Sequence, residues 1–171
     1  MIEFAEWLQA TPFSEAIQAA GWIVPLIQSI HILMIGVVFV SILMIALRVL
    51  ERTRMDQAFA DVWRRFAPWT WTGIAVMTIT GALLVVAEPV REFTSLSFWL
   101  KMALLAVGVA SAAAFRRSLR PILVSGDHAH EFPPGIKLGA VVTVALWLAI
   151  IFLGRAIAYD VDIWGAWSLS S

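Results

Sequence analysis

Between Glu15 and Arg48 the chain carries no charged residue, and this run limits the available folds more than any other feature. It contains IVPLIQSIHILMIGVVFVSILMIAL. A helix needs about 20 apolar residues to cross roughly 30 Å of hydrocarbon, so the run accommodates one tilted span. Three further uncharged or nearly uncharged stretches follow, at 66–87, 96–115 and 138–154. Lys101 interrupts the third near its start, where a long side chain can snorkel to the interface. The fourth can continue to Tyr159. Spans are therefore expected at about 22–48, 66–88, 96–116 and 137–159. Composition agrees: 61% of the 171 residues are hydrophobic and 14% charged, whereas soluble domains run at about half and about a quarter. A β-barrel would show short alternating segments instead. The expected fold class is all-α, an integral membrane four-helix bundle.

The first residues differ in character. Residues 1–21 hold two amphipathic pieces broken at Thr11-Pro12, with Thr11 placed to cap the second piece and Pro12 at its first helical position. Glu3 and Glu6 stand where a signal peptide needs basic residues, so cleavage is not expected. The segment reads as a short interfacial helical element held on the membrane by Trp7 and Phe13. The bundle domain is expected to occupy 22–159, and residues 160–171 to form a periplasmic tail.

Lys and Arg set the orientation. Five lie between spans one and two (Arg48, Arg52, Arg54, Arg64, Arg65) and four between spans three and four (Arg116, Arg117, Arg120, Lys137). Only Arg91, Lys101 and Arg155 belong to the other side. The positive-inside rule then places both basic connections in the cytoplasm and both termini in the periplasm of a bacterial inner membrane. Trp22, Phe98, Trp99, Tyr159, Trp164 and Trp167 would form the outer aromatic belt, with Trp63, Trp69 and Trp71 on the inner one. The first basic connection, ERTRMDQAFADVWRRF, reads as a mixed-charge helical stretch lying along the headgroups, its arginines setting topology and touching anionic lipid. Twelve basic residues balance twelve acidic ones, which argues against nucleic acid as a partner. The lipid bilayer is the expected surrounding, with a homo-oligomer or a membrane-complex partner left open. With no Cys there is no thiolate metal site and no cysteine nucleophile.

His31 is the membrane-embedded histidine, about 13 Å below Trp22 at 1.5 Å rise per residue. Gln28 shares its face and is the expected hydrogen-bond partner. An ionisable residue at that depth faces the bundle or a partner, so His31 is the candidate metal ligand, an axial ligand for haem b. The plain alternative is a packed imidazole bonded to Gln28 or to a neighbouring carbonyl. Met77 lies about 16 Å from the Glu88 end, at a matching depth, and is the candidate second ligand; ordinary core filler is the stronger reading of it. Trp147, near mid-membrane, would flank a cofactor or pack. Arg155 would receive a propionate or pair with Glu88 as a structural ion pair at the outer edge. His128 and His130, flanked by Asp127 and Glu131, form a His-x-His turn far weaker than a zinc signature. No triad, phosphate loop or catalytic carboxylate pair is present, so no enzyme activity is assigned.

The motifs Ser29-Ile-His31-Ile-Leu, Pro68-Trp-Thr-Trp-Thr-Gly73, Thr80-Gly81, Phe98-x-x-Lys101-Met102 and Gly154-Arg155 together resemble a bacterial family of small four-span inner-membrane proteins, domain of unknown function 6644. More distantly, the early histidine resembles that of copper-resistance and cytochrome-b-like membrane proteins. The resemblance implies the fold and carries no activity. Members often close span three with Phe-His; Phe115-Arg116 stands there in this chain, which removes one inner-side ligand. The leading expectation is a small haem- or redox-associated membrane protein built on His31. The alternatives are an accessory membrane subunit in which His31 only packs, and a copper or proton conduit using His31, Met34 and Met77.

Overall fold

A computed structural model describes residues 2–54, 56–125 and 132–167, without the side chains of 120–125 and 166. Among the described residues every regular element is helical. Two short helices, α1 (Ile2–Gln9) and α2 (Pro12–Ala19), precede α3 (Ile23–Val49) and α4 (Phe59–Ala87). A five-residue α5 (Pro89–Phe93) leads into α6 (Leu96–Ser125), then α7 (Pro134–Ala156), a 3-10 turn (Ile157–Tyr159) and α8 (Asp160–Trp164). Four of these helices are long and apolar enough to cross a membrane: α3, α4, α6 over Leu96–Leu119, and the stretch Pro134–Trp164. The protein is a multi-pass helical bundle.

Helix α4 starts seven residues before the expected span. Apolarity marks only where a helix crosses hydrocarbon; the charged first turns of α4 remain helical, supported by the ion pair between Arg64 and Asp61 at i,i+3. Of the connection expected to be helical along the headgroups, 59–66 form the first two turns of α4, while 50–54 and 56–58 are not helical.

The seam between α3 and α4 is the closest in the bundle, and glycine makes it so. A Cβ added at Gly73 would run into the Val38 side chain, which is fully buried. Further along, a Cβ at Gly81 would sit 3.4 Å from His31 Cε1. Helix α7 packs against α3 on one side and α6 on the other, while α4 and α6 meet only briefly. The core divides into two clusters. One gathers Ile45, Val49, Phe59 and Leu119 with Phe132 and Ala140; the other, nearer mid-span, joins Val38, Ile42 and Trp147.

Both ends of the bundle are tied. At the end carrying the two basic connections, Glu51 accepts from Lys137 Nζ (2.9 Å) and from the Phe132 N–H (3.1 Å). These contacts, Lys137 foremost, hold its carboxyl below the usual range. At the opposite end Thr11 caps α2 through its Oγ1 and the Ser14 N–H (3.3 Å), with Pro12 in the first turn as expected. The fully buried Ser14 donates its hydroxyl to Val86 O (2.7 Å), and the Phe4 ring meets the edge of Phe93 at 5.8 Å. The amphipathic segment is therefore docked on the bundle, leaving Trp7 and Phe13 facing outward.

Residues expected as a tail are also docked. The Asp160 carboxylate accepts from the Ser95 hydroxyl (2.8 Å), the Leu96 N–H (3.2 Å) and the Ser97 N–H (2.8 Å). Trp164 Nε1–H donates to Ser97 Oγ (2.8 Å). Phe98 is buried. Of the residues assigned to the outer belt, Phe98 and Trp164 are thus turned into packing, because the start of α6 supplies them with an apolar bed and an acceptor. Trp22, Tyr159 and Trp167 stay exposed.

Candidate functional site

One group of polar residues inside the bundle lies in the half nearer the termini. His31 Nδ1 lies 2.8 Å from Thr80 Oγ1 across the α3–α4 seam. Thr80 spends its one hydroxyl proton on main-chain oxygens of its own helix, Val76 O at 2.8 Å and Met77 O at 3.3 Å. Its oxygen is left as an acceptor, so the hydrogen-bond network assigns the imidazole proton to Nδ1 and the lone pair to Nε2. The ring packs beside Gly81, its Cε1 3.4 Å from where a Cβ would stand. Gln28, the expected partner, makes no hydrogen bond with His31; the ring meets the Thr80 hydroxyl of the facing helix instead.

Lys101 acts on this imidazole electrostatically. Its Nζ lies over the backbone of α7, 3.5 Å from where a Cβ on Gly154 would stand. The side chain expected to snorkel to the interface thus packs against α7. Beyond it sits the buried Glu92, whose carboxyl is pushed up by burial, against the pull of Arg91 and Lys101.

The remaining candidates are dispersed. Met77 packs against Val38, Ile42 and Trp147. Trp147 is 3% exposed, and its Nε1–H has no partner among the described residues. It lines a cavity of about 50 Å³ together with Ile42, Trp63, Thr70, Trp71 and Phe115. Two tryptophans assigned to the inner belt, Trp63 and Trp71, thus face the interior. The expected pair of Glu88 with Arg155 does not form. Glu88 lies 2.5 Å from Arg91, one turn on, while Arg155 donates to the Tyr159 hydroxyl (3.3 Å) and stacks over that ring at 5.4 Å. Each charge finds a partner at i,i+3 or i,i+4, which costs no long-range ordering. His128 and His130 lie outside the described residues. Among those described, no three His, Asp or Glu side chains stand close enough to hold a metal ion together.

Thr80, Lys101 and Gly154 escaped the reading of single residues. All three sit inside motifs that carry the family resemblance, and that was the signal available for them. A family model described as "Family of unknown function (DUF6644)" matches residues 4–160. The chain belongs to this family. No curated protein and no solved structure matches it. Within this DUF6644 protein, the motif residues Thr80, Gly81, Lys101 and Gly154 surround or adjoin His31, whereas Trp69 faces outward and is 60% exposed.

Proposed function

We propose that this DUF6644 protein is a small redox-associated membrane protein in which His31 offers Nε2 as the axial ligand of haem b. One observation carries the reading: His31 Nδ1 lies 2.8 Å from Thr80 Oγ1, a contact in which we take the ring N–H as the donor. A histidine that ligates a metal donates its other ring N–H to a fixed acceptor, which sets tautomer and ring plane. The donor set fits in part. His31 supplies one nitrogen, and Lys101 and Arg155 supply cations for carboxylates at the same end of the bundle. Met77 packs in the apolar core, so any second ligand to the group would come from solvent or a second copy. The cavity of about 50 Å³ at Trp147 is too small for a tetrapyrrole and is bounded largely by residues towards the other end. Haem, when bound, supplies one-electron chemistry; the chain itself positions the imidazole and excludes water by the tight α3–α4 seam.

Purified with haem supplied, the protein should show a Soret band that is lost in His31→Ala and weakened in Thr80→Val. A colourless wild type would favour the accessory-subunit reading. The same hydrogen bond supports that reading too, since it ties α3 to α4.

We also propose that the end bearing Glu51, Lys137 and the turn at 50–58 is cytoplasmic and that both termini are periplasmic, on the nine-to-three count of Lys and Arg. Gln57→Cys should resist an impermeant maleimide in intact cells, while Ser171→Cys should react. The reverse pattern would invert the assignment.

A further inference from the structure

We infer that the cavity at Trp147 is a binding site for one water molecule, which accepts from the indole and donates to Thr70 or Thr143. Trp147 lies within span α7 and is 3% exposed. A buried indole N–H ordinarily finds an acceptor, yet this one has none among the described residues. The ring packs with Val38 and Ile42 of α3, side chains that carry no acceptor. It also lines the cavity of about 50 Å³, to which all four spans contribute. Apart from the tryptophans, two polar side chains share that lining, Thr70 of α4 and Thr143 of α7. Each gives its hydroxyl proton to a carbonyl one turn back in its own helix, Phe66 O at 3.3 Å and Gly139 O at 2.7 Å. Their oxygens remain as acceptors. An unmatched donor and two acceptors thus border one small space whose other walls are apolar or aromatic.

Size and chemistry select the occupant. Benzene needs an apolar cavity of about 150 Å³, whereas a water takes about 30 Å³ in the liquid. One water fits and a ring does not. No charged side chain lines the cavity, so an ion would enter without a counter-charge. A hydrocarbon chain end accepts no hydrogen bond and would leave the indole unmatched. Water accepts from Nε1–H and donates to a threonine oxygen, which supplies the polar partners that a retained internal water requires. Such a bridge is nearly as good as a direct hydrogen bond, and through Thr70 it joins α7 to α4 by a polar link. The site does not depend on haem at His31.

Nuclear magnetic resonance of tryptophan-labelled protein in micelles tests this with water itself as the probe. The Trp147 indole signal is assigned by its absence in Trp147→Phe. Its proton should show a cross-peak to water, with the sign of a molecule that tumbles with the protein. Thr70→Val and Thr143→Val keep the side-chain shape and should each weaken the cross-peak about twofold, because each removes one of two acceptors. Thr70→Ser, which keeps the hydroxyl, should retain it. Thr78→Val is the control: Thr78 likewise donates to a carbonyl of α4, Ile74 O, but lies outside the cavity lining. No water cross-peak in the wild type, or a cross-peak to detergent chain protons in its place, would overturn the site. So would a cross-peak indifferent to both cavity variants, or one lost as fully in Thr78→Val.

Discussion

Asp160→Ala lowers the stability of the solubilised protein by about 3 kcal/mol, the range for losing charge-assisted hydrogen bonds to buried donors. The first N–H groups of a helix have no partner within it, and those of α6 begin in a buried corner. Ser95 and Ser97 are 2% and 0% exposed. Asp160 satisfies the Leu96 and Ser97 N–H groups, and it also orients the Ser95 hydroxyl, whose oxygen accepts from the Phe98 N–H at 3.1 Å. Its negative charge also faces the positive end of the helix dipole. Truncation strands these donors and releases the contact of Trp164 with Ser97. Asp160→Asn keeps one acceptor oxygen and should lose about half as much. Denaturant-induced loss of helical circular dichroism measures both; a loss under about 1 kcal/mol in Asp160→Ala would mean the cap is dispensable.

Gly73→Leu should cost about 3 kcal/mol, at the upper end of overpacking penalties. Even a Cβ at that position overlaps Val38, and the Met34 carbonyl oxygen stands 3.8 Å away, so the seam can yield only by moving one helix. That movement reaches His31 and Thr80, about two turns along the same seam. Gly36 is the control, exposed on the same helix α3 and with nothing within 4 Å of an added Cβ. Gly36→Ala should gain roughly 0.5–1 kcal/mol from helix propensity. Equal effects at the two glycines in the same unfolding assay would contradict the close packing of α3 on α4.

Both predictions rest on contacts of different legibility. The spans, the Thr11 cap and Pro12 follow from periodicity and local chemistry, and the structure repeats them within a few residues except at the start of α4 and the end of α6. Asp61, Arg64 and Arg65 read as helical, but an apolarity argument does not show that this helix is continuous with span two. Asp160 was unreadable for another reason: its partners are Ser95 to Ser97, and nothing local in a sequence joins residues more than sixty positions apart. His31 was legible as a scarce group at depth, but its partner was not. Helical geometry pointed to Gln28, one turn away, whereas Thr80 on the facing helix meets the ring. Lys101 looked like a snorkelling residue because the α7 backbone that it packs against at Gly154 lies on another helix. Glu88 and Arg155 show the converse: a pairing argued from shared depth lost to Arg91 and Tyr159, each within one turn.

The account turns on which nitrogen of His31 is free, and ¹⁵N spectroscopy of histidine-labelled protein in micelles or bilayers reads this directly. The His31 signal can be assigned by its absence in His31→Gln. The account predicts a protonated Nδ1 and an unprotonated Nε2 without haem, with Thr80→Val removing this preference and added haem shifting the Nε2 resonance alone. A proton on Nε2 in the wild type, or a pattern indifferent to Thr80→Val, would contradict the claim that Thr80 prepares His31 as a ligand.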